Sequence, residues 1–201
     1  MKGIHYRIAG TVVAGALASV LAGCSDSSDD VIGGKSTAIA LSNRSVTPNL
    51  VKSLVAGVDI YSVISSDDVL PESPSFVFGG SADGAGLIKN SDGTFTLLTN
   101  HEDNFAISRV TLDAAFKPMR GEYVVNSTAG KYRLCSATLV TPAVHGFGPV
   151  FLSAGETNEE SQILAVNPTG LPNTPTYVTG LGRWNAENAV PLPLVAFPNR
   201  T

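Results

Sequence analysis

Apolar residues along this chain fall into short runs separated by turn-forming residues. Beyond residue 50 the runs span three to eight residues, which is typical of β-strands rather than helices. Outside the N-terminus no stretch repeats apolar residues with the 3.6-residue period of a helix, and residues 50–58 are the one candidate for a short helix. The predicted strands are residues 58–65, 76–78, 86–89, 94–99, 106–112, 149–153, 162–166 and 177–179.

The strongest turn signal is Asn90-Ser91-Asp92-Gly93, which separates the predicted strands 86–89 and 94–99. Glycine at the end of such a turn can adopt positive φ, so the two strands are expected to form a hairpin. Short strands at this spacing are typical of a propeller, a sandwich or a barrel. The pattern therefore predicts an all-β fold, and no clear internal repeat selects one architecture.

The N-terminus has the pattern of an export signal. Lys2 and Arg7 precede an apolar run over residues 8–21, which is too short to cross a bilayer. Leu21-Ala22-Gly23-Cys24 follows and resembles the lipobox of bacterial lipoproteins. We expect residues 1–23 to be a signal peptide that is removed, and Cys24 to carry the lipid. The alternative is an ordinary secretory signal with a cysteine near its end.

The resemblance to lipoproteins also predicts a location. Ser25 rather than Asp follows the cysteine, which favours the outer membrane of a Gram-negative cell, on its periplasmic or surface face. Residues 25–36 are polar and acidic, and have too little apolar content to fold. The expected organisation is a lipid-anchored flexible linker over residues 24–49 and a β domain over residues 50–201.

Charge and cysteine content narrow the possible partners. Removal of Lys2 and Arg7 leaves 11 basic and 17 acidic residues, a net charge of about −6. Nucleic acid and anionic lipid are therefore not expected partners, since both require a basic surface. With Cys24 lipidated, Cys135 has no partner for an internal disulfide, and a lone thiol in an oxidising compartment calls for a reason. Phosphate-binding P-loop and Gly-x-Ser-x-Gly nucleophile motifs are absent from the sequence.

Polar residues at strand ends are the candidates for chemistry. Glu102 lies in a polar run, residues 99–104, directly after a predicted strand, and its carboxylate could bind a hard cation. Cys135 offers a thiolate, and Glu156 begins a segment with three glutamates. Glu187 lies three residues after Trp184, which is the only tryptophan in the sequence. For each residue a plain structural role stays open: a buried small side chain for the cysteine, and solvated turns for the glutamates.

The order of several short motifs resembles that of a known family. The motifs are Asp83-Gly84-Ala85-Gly86, Asn100-His101-Glu102, Ser108-Arg109-Val110, Cys135, Gly155-Glu156, and Gly182-Arg183-Trp184 followed by Glu187. Over residues 76–188 this order resembles the N-terminal part of the PhoX-type alkaline phosphatases, which are exported β-propeller enzymes of bacteria.

The resemblance implies a phosphomonoesterase that holds iron and calcium in one cluster at the propeller centre. Carried over by motif, Cys135 is the thiolate ligand of iron, Glu156 and Glu187 are carboxylate ligands, and Glu102 is a further candidate. The implied substrate is a phosphate ester, whose charge the cations neutralise. A role as a metal ligand would also explain the lone thiol of Cys135.

Members of that family are much longer, and their later blades supply further acidic ligands and an arginine. The resemblance therefore implies an incomplete propeller of a few blades, with a partly built metal cluster and a phosphatase that is inactive unless another chain completes it. One alternative is a non-catalytic cell-envelope lipoprotein that binds a ligand or partner through a β scaffold, and another is a truncated gene product with no independent function. Under the first alternative, Cys135→Ser leaves folding and ligand binding nearly unchanged.

Overall fold

The computed structural model describes residues 39–196. The expected signal peptide, the lipidation site at Cys24 and the polar run 25–36 lie outside the described residues. Within residues 39–196 there is no helix with the length and apolar character needed to cross a membrane.

The described chain forms two antiparallel four-stranded sheets, which confirms the all-β prediction. Sheet 1 has the order β1-β2-β3-β4, and its strands are Ala82–Lys89, Phe95–His101, Ala106–Leu112 and Pro118–Val125. Sheet 2 has the order β5-β6-β7-β8, and its strands are Leu134–Val140, Val150–Gly155, Ile163–Val166 and Thr176–Tyr177. Two four-residue helices, α1 and α2, span Ser127–Gly130 and Pro142–His145. Neither sheet closes on itself among these residues.

The predicted hairpin at residues 90–93 connects β1 and β2. Asn90 N–H donates to the carbonyl of Thr94 at 2.9 Å, and Gly93 has a φ of +86°. Asp92 Oδ1 accepts the backbone N–H of Thr94 at 3.0 Å, which fixes the turn from within. The hairpin places the start of β1 beside the end of β2, where Ala82 is the partner of His101.

An apolar layer lies between the two sheets. Sheet 1 contributes Leu98, Ile107 and Val125, and sheet 2 contributes Leu134 and Phe151, all fully buried. Because strand side chains alternate between faces, each of these residues leaves its neighbour on the opposite face of the sheet. The shared layer joins the two sheets into one core.

The first strands of the two sheets are in close contact at Gly84. A Cβ added to Gly84 would overlap the backbone nitrogen of Ala137 in β5. Glycine is therefore required here because two backbones lie side by side with no room for a side chain. This contact fixes the start of β1 against the middle of β5.

Two predicted strands are irregular segments. Residues 58–65 and 76–78 form no strand, and residues 50–58 form no helix. Phe76 and Phe78 instead pack with Leu70 on the outer face of sheet 1, against Val110 and Leu112. These residues are apolar because they are buried against a sheet, although they do not form a strand of it.

Two strands were not predicted. β4 begins at Pro118 and contains Gly121, both of which are unfavourable in a strand interior. As the last strand of sheet 1 it tolerates them, because an edge strand needs only half of its backbone hydrogen bonds. β5 carries the small and polar residues of Leu134–Val140, which the sequence pattern marked only as a candidate site.

Candidate metal centre

Four strand ends meet at one edge of the two sheets. Asp83 lies at the start of β1, and Glu102 directly follows β2. Cys135 is the second residue of β5, and Glu156 directly follows β6. The pairings Ala82–His101 and Leu134–Gly155 bring the members of each hairpin together, and the contact at Gly84 brings the two hairpins together.

Three potential ligand atoms lie in a tight group. One carboxylate oxygen each from Asp83 and Glu102 and the Sγ atom of Cys135 all lie within 4.8 Å of one another. The Cys135 thiol also donates a hydrogen bond to Glu156 Oε2 at 2.6 Å. The structure therefore places Glu102, Cys135 and Glu156, three of the residues selected from the sequence, around one point.

Glu187, the fourth selected residue, faces the same group. Ala186 N–H donates to the carbonyl of Gly155 at 3.2 Å, which ties the segment to the end of β6. On the other side, Asn188 Nδ2 donates to Ser136 Oγ at 2.9 Å. These two bonds hold Glu187 beside Glu156, whose charge is the largest cause of the raised pKa of Glu187. Desolvation and the charges of Asp83 and Glu102 raise it further.

The thiol of Cys135 is strongly held in its protonated form. Burial is the largest cause of its raised pKa, and the hydrogen bond to Glu156 adds to it. The negative charges of Glu102, Glu156 and Asp83 raise the pKa further. Each of these effects disfavours another negative charge in the group, and the attraction of a bound cation for the thiolate would oppose them.

Arg133 supplies positive charge at one side of the acidic group. Its guanidinium contacts a carboxylate oxygen of Glu102 at 2.5 Å and one of Asp103 at 3.3 Å. The guanidinium thus balances Glu102 and Asp103, so the other carboxylates of the group, Asp83, Glu156 and Glu187, carry most of its uncompensated negative charge.

Asn100 supports the cluster from behind. It is fully buried, its Nδ2 donates to the carbonyl of Cys135 at 2.5 Å, and its Oδ1 accepts from Ser153 Oγ at 3.1 Å. A side chain of β2 thereby positions the backbone of β5 at the thiol. Supporting hydrogen bonds of this kind orient ligands in metal sites.

Other polar residues of the selected segments lie elsewhere. His101 is fully buried, contacts Ser108 Oγ through Nε2 at 2.8 Å, and packs edge-on against Phe78. Burial lowers the pKa of His101, so the imidazole is a neutral part of the core. Glu160 forms an exposed ion pair with Arg183 at 2.7 Å, so Glu156 is the glutamate of its run that lies in the cluster.

Asp83 is the ligand candidate that sequence reasoning missed. It was noted only within a glycine-rich segment, because the first strand of this hairpin was predicted to begin at residue 86. The structure begins β1 at Ala82, which places Asp83 at the edge that Glu102 occupies. Extending the predicted first strand by four residues toward the N-terminus would have placed Asp83 beside the end of the second strand.

A second feature of this half of the molecule is an apolar groove on the outer face of sheet 2. Its volume is about 580 Å³, and Leu152 and Ile163 form its floor. Phe147, Trp184 and Val190 line its rim and are about half exposed or more.

The donor set itself indicates what the cluster could bind. A thiolate together with carboxylates suits iron or zinc, and carboxylates alone suit calcium. Comparison of the chain with protein-family models, with curated proteins and with solved structures finds no match.

Proposed function

We propose that the chain is a metal-dependent, PhoX-like phosphatase unit that hydrolyses phosphate monoesters. The observation that carries the proposal is the convergence of Asp83, Glu102, Cys135 and Glu156 on one point, with Glu187 facing them. All of them except Asp83 are ligand candidates through the family resemblance of the sequence motifs. A single thiol surrounded by carboxylates is an unfavourable arrangement without a cation, and this supports a binding role.

The residues present fit the implied metals. Cys135 and Glu156 would hold iron, since they pair a soft and a hard donor in direct contact. Asp83, Glu102 and Glu187 would add the oxygen ligands that calcium prefers. Bound cations would neutralise the phosphate and polarise its oxygens.

The side chains have defined tasks in that function. Glu156 Oε2 accepts the thiol hydrogen of Cys135, so the two side chains already face each other as they would need to in order to hold one cation together. Asn100 holds the Cys135 carbonyl and thereby orients the thiol. Arg133 pairs with Glu102 and limits the negative charge that an incoming phosphate would meet.

We further propose that sheets 1 and 2 are two neighbouring propeller blades. The contact of the first strands β1 and β5 at Gly84 supports this, because the innermost strands of blades meet around a central axis. A ring closes with four blades or more, so the proposal requires further blades and further ligands beside these two sheets. The cluster would then lie at the axis.

The proposed setting is the cell envelope, with the protein exported and anchored in the outer membrane through lipid on Cys24. Its support is the order of basic residues, apolar run and Leu21-Ala22-Gly23-Cys24 at the N-terminus.

A second candidate function is non-catalytic binding, and the apolar groove on sheet 2 favours it. A groove of about 580 Å³ lined by Phe147, Trp184 and Val190 has the size and character of a site for an apolar ligand. This function does not use the acidic cluster.

The first experiment measures the metal content of the purified full chain by elemental mass spectrometry. We expect iron together with calcium in the purified chain. Hydrolysis of an aryl phosphate, dependent on both metals, is expected only when another chain supplies the further blades and ligands. Cys135→Ser should remove the iron, and Glu156→Gln should lower iron affinity by about tenfold or more. Glu160→Gln is the matched control, since its carboxylate belongs to the same segment but pairs with Arg183 outside the cluster.

Two outcomes would decide against the phosphatase. No bound metal in the unaltered chain would exclude it for this polypeptide. Equal metal loss in Glu156→Gln and Glu160→Gln would show that the cluster is not the site. Either result, combined with binding of an apolar fluorescent probe that Trp184→Ala abolishes, would favour the groove.

A further inference from the structure

Residues 46–60 carry an unusual concentration of exposed aliphatic side chains. Leu54 is 91% exposed and Leu50 is 86% exposed, which is close to full hydration for side chains that folded proteins usually bury. Neighbouring side chains that are at least half exposed are Val46, Val51, Val55 and Val58. Exposed apolar residues scattered singly are ordinary, but a contiguous group of this kind marks an interaction surface.

The segment is a loop with a fixed base. Arg44 N–H donates to the carbonyl of Ser62 at 2.7 Å, and Asn49 Nδ2 donates to the carbonyl of Ile60 at 2.7 Å. At the tip, Val58 N–H donates to the carbonyl of Val55 at 3.3 Å, and Gly57 turns the chain with a φ of +79°. The base therefore fixes the two ends of the tip, residues 50–58, whose aliphatic side chains are exposed.

The same base receives the chain from the expected lipid anchor. Asn43 Oδ1 accepts the backbone N–H of Ser62 at 2.9 Å, so the segment entering from Ile39 is tied to the foot of the loop. Fourteen residues lie between Cys24 and Ile39, and the 15 steps of chain can span at most about 54 Å. An anchor on Cys24 would thus confine the domain to the vicinity of the bilayer, and the tether enters the domain at the foot of this loop.

The charge of the tip also suits a lipid surface. Lys52 is the charged residue within residues 50–58, and acidic residues are absent from that stretch of the sequence. A lysine among aliphatic side chains can place its stem in the apolar zone and its ammonium group among lipid phosphates. Its positive charge stands out in a chain whose expected mature form is acidic.

We propose that the tip, residues 50–58, inserts into the bilayer to which the chain is anchored, and sets the orientation of the domain on the membrane. The inference rests on the proposed lipid anchoring and is independent of the proposed metal chemistry. The inserted groups are Leu50, Val51, Leu54 and Val55, with Lys52 at the level of the phosphates.

The test uses the full chain, lipidated in a bacterial host and reconstituted into vesicles of phosphatidylethanolamine and phosphatidylglycerol. Leu54→Trp in a Trp184→Phe background provides one indole at the tip. Leu171→Trp in the same background is the matched control, because Leu171 is also largely exposed, at 78%. Leu171 is close in sequence to Asn173, whose backbone N–H donates to the carbonyl of Val124 near the end of β4. Arg44, at the base of the loop, contacts Ala115 in the turn before the start of β4, so the two probes lie at opposite ends of this strand.

We expect the Leu54→Trp variant to show a blue-shifted emission and at least about twofold stronger quenching by brominated lipids than the Leu171→Trp variant. Vesicle flotation of both variants reports the anchor separately from the loop. Flotation without quenching of Leu54→Trp would overturn the insertion and favour a protein partner for the tip. Equal quenching of the two variants would overturn the proposed orientation. Failure to float would refute the anchoring and the insertion together.

Discussion

Among single residues, Glu187 reports the charge state of the acidic cluster most directly. The charge of Glu156 and desolvation raise its pKa above the ordinary value of 4.5, so the folded chain binds this proton more tightly than the unfolded chain. The stability of the metal-free chain should therefore fall as pH rises from 4.5 through the raised pKa. Added cation should oppose this fall by pairing with the carboxylates.

The prediction for Glu187→Gln follows from that sign. In the chelator-treated full chain, the melting temperature of the unaltered protein should fall between acidic and neutral pH. The melting temperature of Glu187→Gln should fall less over the same range. Glu160→Gln removes one carboxylate of a pair outside the cluster and controls for the change in net charge. Calorimetry across this pH range makes the comparison. Parallel pH profiles for Glu187→Gln and the unaltered chain would contradict the assigned cause.

At the scale of elements, the contact between β1 and β5 holds the cluster together. Gly84→Ala would drive a methyl group into the backbone of β5, and overpacking of this kind costs about 1–3 kcal/mol. The same displacement would move Asp83 away from Cys135, so we expect weaker metal binding as well as a lower free energy of unfolding. Gly80→Ala is the matched control, because a Cβ there meets no atom within 4 Å. Denaturant unfolding and metal titration of both variants test the expectation. Equal free energies of unfolding and equal metal affinities for Gly84→Ala and Gly80→Ala would refute it.

The elements also show which information the sequence carried. The strand over residues 106–112 is confirmed, as is the hairpin at residues 90–93, since alternation and a glycine turn are local signals. Residues 76–78 show the same alternation of apolar residues, but here its cause is packing on the face of a sheet, which only the tertiary structure reveals. β5 was missed because its small polar residues serve the site and its neighbours rather than an apolar face.

The candidate site, like the fold, could be predicted from the sequence only in part. Cys135, Glu156, Glu187 and Glu102 could be selected as residues, but their meeting depends on the register of two hairpins and on the contact at Gly84. That contact joins residues about 50 positions apart through an absent side chain, and no local pattern reports it.

At the scale of the whole molecule, the shared layer between the sheets predicts one cooperative unfolding transition for the described domain. Because the cluster includes residues from both sheets, a bound cation should stabilise the whole unit. Calcium at a hundredfold excess over its Kd should add about 2.7 kcal/mol. This corresponds to a rise in Tm of about 5–10 °C for a domain of this size. Calorimetry of the full chain with calcium or chelator tests this, and an unchanged Tm would contradict calcium binding in the cluster.

The antiparallel register of sheet 1 determines which way the cluster faces. Arg44 bonds to the carbonyl of Ala115 in the turn between β3 and β4, whereas Asp83 and Glu102 lie at the opposite end of the sheet. The seven residues of β2 separate these two ends by about 20 Å. If the loop at the Arg44 end lies on the lipid, the acidic mouth opens toward the aqueous phase. Its distance from the headgroups then exceeds the screening length of about 8 Å in physiological salt. Anionic lipids would neither compete for its cations nor repel a phosphate approaching from solution.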